Sequence, residues 1–182
     1  VTGKNKVLTK MNTPQERFNI EETEEKYPGI HIEWYNQKTI IAYRITHVTL
    51  KSIDRWGELV IETLKEWNKD RPYLALHDVS TSGVSLQYAS VVNFDFLNIG
   101  ITPALRLVAE DIFNKNPQFR ARVALNFNLS FSGRMGKTLT STFLDSHPSV
   151  GYKTFYNRDK AFNWLSGATG TLLDTSEMPK SS

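Results

Sequence analysis

The side chains best suited to chemistry gather in one loop: Asp78, Ser80, Thr81, Ser82 and Ser85, interleaved with Val79, Gly83 and Val84. Hydroxyls placed there can accept a phosphoryl group or hold an anion against the amides that open a following helix. In an open α/β sheet, ligands sit beyond the carboxyl ends of the strands, in loops of this kind. The same residue types also cap and turn chains, and Ser85 suits an N-cap. Hydroxyls with neither a base nor a metal beside them do not make a reaction centre.

A second stretch, Ser130 to Thr138, superficially matches the phosphate-binding pattern G-x-x-x-x-G-K-[ST]. Ser132, Gly133, Arg134, Lys137 and Thr138 are its candidate anion-binding residues. Phe131 occupies the place of the first glycine, however, and Gly133 falls two positions late. The backbone wrap that the motif depends on is therefore missing its defining residue. Nucleotide or phosphate chemistry at residues 130–138 stays open as the weakest of three readings.

The remaining candidates favour structure over catalysis. His31, His47, His77 and His147 show no metal-ligand spacing. His77 and Asp78 are neighbours on an expected strand and so point to opposite faces, which rules out a simple pair. His77 reads as a satisfied core histidine. Asp54, Glu58 and Glu62 follow helical spacing but form the solvated side of an apolar stripe. Trp34, Trp56, Trp67 and Trp164 read as core or rim aromatics. With no cysteine in 182 residues, disulfides, thiolate metal sites and a cysteine nucleophile are excluded. No acid–base pair, nucleophile elbow or dinucleotide fingerprint is present, so neither catalytic residue, cofactor nor metal is expected. A net charge of +3, dispersed along the chain, argues against nucleic acid. No apolar run reaches the ~18 residues that cross a bilayer, so a cytoplasmic protein is the default expectation.

The elements that must position these groups alternate in period. His31–Tyr35 and Thr39–Ile45 read as strands joined by the short polar loop Asn36-Gln37-Lys38. Leu50, Ile53, Trp56, Val60, Leu64 and Trp67 then recur at three and four behind Thr49 as N-cap, predicting a helix. Tyr73–Val79 is nearly continuous in apolar residues, as in a strand covered on both faces. Helical patterns follow from Leu86 towards Leu97 and after Thr102-Pro103. A strand at Arg122–Phe127, a helix carrying Met135, Leu139 and Phe143, a strand at Tyr152–Tyr156 and a helix capped by Asn157 complete the series. The order predicts an α/β domain whose mixed, mostly parallel sheet is opened by an antiparallel hairpin and covered by helices. The polar first 28 residues read as a flexible or loosely docked arm, 29–166 as the domain, and 167–182 as a flexible tail.

The segments Ile41-Ala42-Tyr43-Arg44-Ile45-Thr46-His47-Val48-Thr49 and Arg71-Pro72-Tyr73-Leu74-Ala75-Leu76-His77-Asp78-Val79-Ser80 flank the Trp56-bearing helix. Together with the closing Phe155-to-Leu165 strand and helix, they resemble the SpoIIAA-like family of STAS-type domains over roughly Ile30 to Leu165. The resemblance implies a small α/β sandwich without catalytic activity that docks on another protein: a regulator, a kinase or a larger assembly. In anti-sigma-factor antagonists of this type, phosphorylation of a Ser or Thr after the Asp-ended strand switches partners. Those proteins carry an Asp-Ser-Ser-Gly run at that helix start, where this chain has Leu86-Gln87-Tyr88-Ala89-Ser90. The phosphoacceptor does not carry over, and Ser80, Thr81, Ser82 and Ser85 substitute for it by chemistry alone. The family's likeness to lipid-carrier domains adds a second reading, a carrier of a small apolar ligand or lipid.

Overall fold

The computed structural model describes residues 18–81, 83–84, 103–128 and 147–167. Within them the chain runs β1 (Glu22–Tyr27), β2 (Ile30–Tyr35), β3 (Ile40–Ile45), α1 (Leu50–Glu66), β4 (Tyr73–Val79), α2 (Pro103–Lys115), β5 (Ala121–Phe127), β6 (Val150–Phe155) and α3 (Arg158–Ser166). The six strands lie in the sheet in chain order. β1, β2 and β3 are antiparallel, whereas β3 to β6 are parallel. The expected mixed α/β sheet is therefore the observed one. Ser82, Ser85, the helix expected over 86–97, residues 130–138, the helix carrying Met135, Leu139 and Phe143, and the tail at 168–182 lie outside the described residues.

Strand alternation splits the apolar residues into two layers. Ile41, Tyr43, Tyr73, Ala75, Val123 and Leu125 face α1 and α2, where they meet Trp56, Leu59, Val60, Leu64 and Phe113. Ile40, Ala42, Leu74, Leu76 and Ala124 face the short α3 and pack on Ala161, Phe162 and Leu165. Burial on both sides explains why β4 reads as an unbroken apolar run.

α1 begins where the sequence predicts. Thr49 Oγ1 accepts from the Ser52 amide at 3.1 Å, and the Thr49 amide donates to Ser52 Oγ at 2.7 Å. Its solvated side carries Glu58 and Glu62, both paired with Arg55. At the other end Lys69 Nζ donates to the Leu64 and Trp67 carbonyls and takes up orphan acceptors of the last turn.

The sequence reading places no element at Glu22–Tyr27, yet this segment is the edge strand β1. Its side chains are exposed except at Tyr27, so there was no apolar alternation to read. The backbone ladder to β2 holds it instead. The loop between β2 and β3 is also unusual, with Asn36, Gln37 and Lys38 all left-handed at φ 52°, 55° and 57°. Such a run costs ~1–2 kcal/mol per non-glycine residue. It is braced by the Glu21 carboxylate, which accepts from the Gln37 amide at 2.6 Å and the Lys38 amide at 3.2 Å.

Candidate functional site

Among the polar strand residues on the α3 side of the sheet, Glu33 in β2, Arg44 in β3, Asp78 in β4 and Asn126 in β5 form one cluster. Arg44, Asp78 and Asn126 are paired in register across the carboxyl ends of the parallel strands. Their side chains thus share one face and lie side by side. α3 begins directly above them, with the Asn157 side chain accepting from the Lys160 amide at 2.9 Å. That cap sets the helix so that its first residue, Arg158, reaches down onto the row.

The result is a continuous network. Glu33, 1% exposed, accepts from Arg44 Nε at 2.6 Å, from the Tyr35 hydroxyl at 2.7 Å and from Arg158 Nη2. Arg158 Nη2 also donates to the Tyr35 oxygen at 2.8 Å. Arg158 Nε lies 3.3 Å from Asp78 Oδ2, close enough for attraction between the charges though not aligned for a hydrogen bond. The other Asp78 oxygen accepts from Asn126 Nδ2 at 3.0 Å, from Ser80 Oγ at 2.6 Å and from the Ser80 amide at 3.1 Å. Asn128 Nδ2 donates to the Ser80 carbonyl at 3.2 Å, tying the loop after β4 to the one after β5.

Two carboxylates and two guanidiniums balance in charge here. Burial alone would push the Glu33 carboxyl up, but Arg44, Tyr35 and Arg158 outweigh it and hold the group below the usual carboxylate range. Burial and the neighbouring Glu33 raise the Tyr35 hydroxyl, which stays a donor. Burial works against the Arg158 charge, and Tyr35, Asp78 and Glu33 more than offset it. Each carboxylate in the network is thus engaged by a donor, and each guanidinium faces a carboxylate.

The opposite face is organised differently. His77 lies between Tyr43 and Trp56, with ring centroids 5.1 Å away in each case. Its Nε2 has no hydrogen-bond partner among the described residues, and burial lowers its pKa to about 3. The core placement agrees with the sequence reading, whereas the satisfied side chain it expected is not found. His77 and Asp78 do point to opposite faces. On the same side Tyr43 and Tyr73 share a hydroxyl contact of 3.1 Å, and burial pushes Tyr43 up to about 12.

Of the sequence candidates, the structure brings Asp78 and Ser80 together, with Thr81 next to them and half-buried. His47 and His147 stand apart from this cluster, the latter contacting Asn114. Glu33, Tyr35, Arg44, Asn126 and Arg158 were not singled out from sequence. A charged or amide residue inside an apolar strand was the available signal, because such a group requires a buried partner. No group of three or more potential metal-ligating His, Asp or Glu residues occurs among the described residues. None of the helices described is long and apolar enough to cross a membrane. No family model matches the chain, and neither the curated proteins nor the solved structures contain a match.

Proposed function

We propose that the domain is a protein-interaction module of the STAS type, which docks through the loop that leaves β4 and the residues beyond it. One observation carries the reading: the Asp78 carboxylate, at the base of that loop, is spent on the protein itself. Three hydrogen bonds and the Arg158 charge engage it, and two of those bonds come from Ser80. All three bonds fall on Oδ1 while Oδ2 faces the Arg158 guanidinium, and the carboxylate serves as an anchor for the loop that leaves β4. The anchor fixes the start of the loop and leaves Thr81 half-buried and Gly83 exposed. An anchored loop start forfeits less conformational entropy on docking. A mixed α/β sheet is compatible with the small α/β sandwich that the resemblance implies.

Charge at the loop is the natural regulator of such a surface. Ser80 Oγ already donates to Asp78, so a phosphate there would face a carboxylate at hydrogen-bond range. Thr81 carries the neighbouring hydroxyl without that bond to Asp78. The test is a pull-down from native lysate with the wild-type chain and a Thr81→Glu chain in parallel. The retained proteins are identified, and the purified partner is then titrated against both chains. A partner whose affinity falls about tenfold or more with Thr81→Glu supports the reading. Equal affinity for both chains overturns it, as does turnover of a small molecule that a folded Asp78→Asn chain lacks.

A further inference from the structure

Independently of the docking loop, we propose that β1 and the residues leading into it exchange between two copies of this chain, about a hinge at Pro28-Gly29. Each copy would then place residues 18–27 against β2 of its partner.

Three observations carry this. First, β1 is polar on both faces: Glu22, Thr23, Glu24, Glu25 and Lys26 are all exposed. A strand that buries no face has its pairing specified only weakly, and exchange between chains is the known consequence. The ladder itself changes register between Glu25 and Tyr27. Second, the segment is attached at separate points that do not depend on which chain supplies it. Phe18 stacks on Phe162 of α3 at 4.9 Å, the Glu21 carboxylate holds the left-handed β2–β3 loop, and Tyr27 packs against the core on the α1 side. The receiving groups all belong to β2 and later elements. A second copy of residues 18–27 satisfies them equally well.

Third, the hinge is short and conformationally demanding. Two residues, Pro28 and Gly29, separate β1 from β2. Gly29 sits at φ +83°, and a Cβ there would lie 2.8 Å from the Cβ of His47. Glu25 Oε1 accepts from the Gly29 amide at 2.9 Å and helps to hold the turn closed. In the exchanged form the hinge runs straight on, the left-handed glycine is no longer required, and proline suits the extended path. Short hinge loops under strain favour this outcome, and lengthening them opposes it.

The natural absence of cysteine gives a direct test. Glu25 and His31 are paired in register across β1 and β2. In the Glu25→Cys/His31→Cys chain, a disulfide at this position links one chain to itself if β1 stays at home. It links two chains if β1 is exchanged. The protein is incubated at increasing concentration, oxidised, denatured and separated without reductant. The expected result is a dimer-mass band that grows with concentration. That band is absent from either single-cysteine chain and falls severalfold when three glycines are inserted between Pro28 and Gly29. Only monomer-mass protein carrying the disulfide overturns the proposal, and so does a dimer band that the insertion leaves unchanged. Light scattering on the cysteine-free chain serves if the double variant fails to fold. A concentration-dependent dimer lost on insertion supports exchange, and a monomer at all concentrations excludes it.

Discussion

The two faces of the sheet handle polarity in opposite ways at the same height along the strands. His77 and Asp78 are consecutive, yet the first is kept neutral among aromatic rings and the second is held among hydrogen-bond donors. Around His77 on the α1 side aromatic rings face the imidazole, and burial holds it in its neutral form. On the α3 side the protein admits charge, because Arg44 and Arg158 remain about one-third exposed and bring counter-ions to buried carboxylates. The burial of an ionisable group therefore says little until its partners are counted. The face that tolerates charge is the one that meets the loop after β4.

The largest effect expected from breaking this contrast is on the charged side. Glu33→Ala leaves Arg44 and Arg158 without their shared anion and should destabilise the fold by ~3 kcal/mol or more in chemical denaturation. A loss of less than 1 kcal/mol would mean that the network adds nothing to the fold.

The acid response separates the two faces next. His77 has its pKa lowered to about 3 in the folded state, so below its ordinary value near 6.5 the unfolded chain binds a proton that the folded chain refuses. Stability should then fall by ~1.4 kcal/mol per pH unit from about pH 6 down towards 3. His77→Phe should flatten that slope, as measured by denaturant midpoints across the range. Glu33 acts in a lower window. Its folded pKa lies below the unfolded value, so its stabilisation is complete above the usual carboxylate range and is lost as pH drops through the lowered folded value. A single merged transition in which His77→Phe changes nothing would remove the distinction between the faces.

Smaller effects sharpen the comparison at the helix starts. Thr49→Ala on one face and Asn157→Ala on the other each remove a cap and should cost ~1 kcal/mol. Of the two, only Asn157→Ala should also disturb the environment of Tyr35, because it resets Arg158; Tyr35 ring signals in NMR report this. The smallest effect is expected at Arg55→Ala, which breaks exposed pairs to Glu58 and Glu62 and should change the melting free energy by ~0.5 kcal/mol or less.

What the sequence reveals follows from how each feature is encoded. β2 to β5, α1 and α3 bury an apolar face, β6 half-buries one, and burial leaves a period that can be read. β1 buries almost nothing and is held by main-chain bonds, which leave no mark on residue types. Asp78 and Ser80 were legible because they are close in sequence and share a loop. Their partners were not, since Glu33 and Arg158 are 125 residues apart and meet only through the sheet order. Glu33 within Ile30–Tyr35 and Asn126 within Ala121–Phe127 carried a trace of the network, as polar breaks in otherwise buried strands. Sequence alone indicates that such residues need partners, and the topology decides which ones.

Because neighbours in the sheet are neighbours in the chain, a ribosome could deliver β1 to β6 one after another and each would find its place on arrival. The clasp on Glu33 is the exception. Its second guanidinium comes from the start of the last helix described, so a nascent chain would carry a half-neutralised carboxylate in its growing core until α3 emerged. Docking of that short helix then completes the pairing of Glu33.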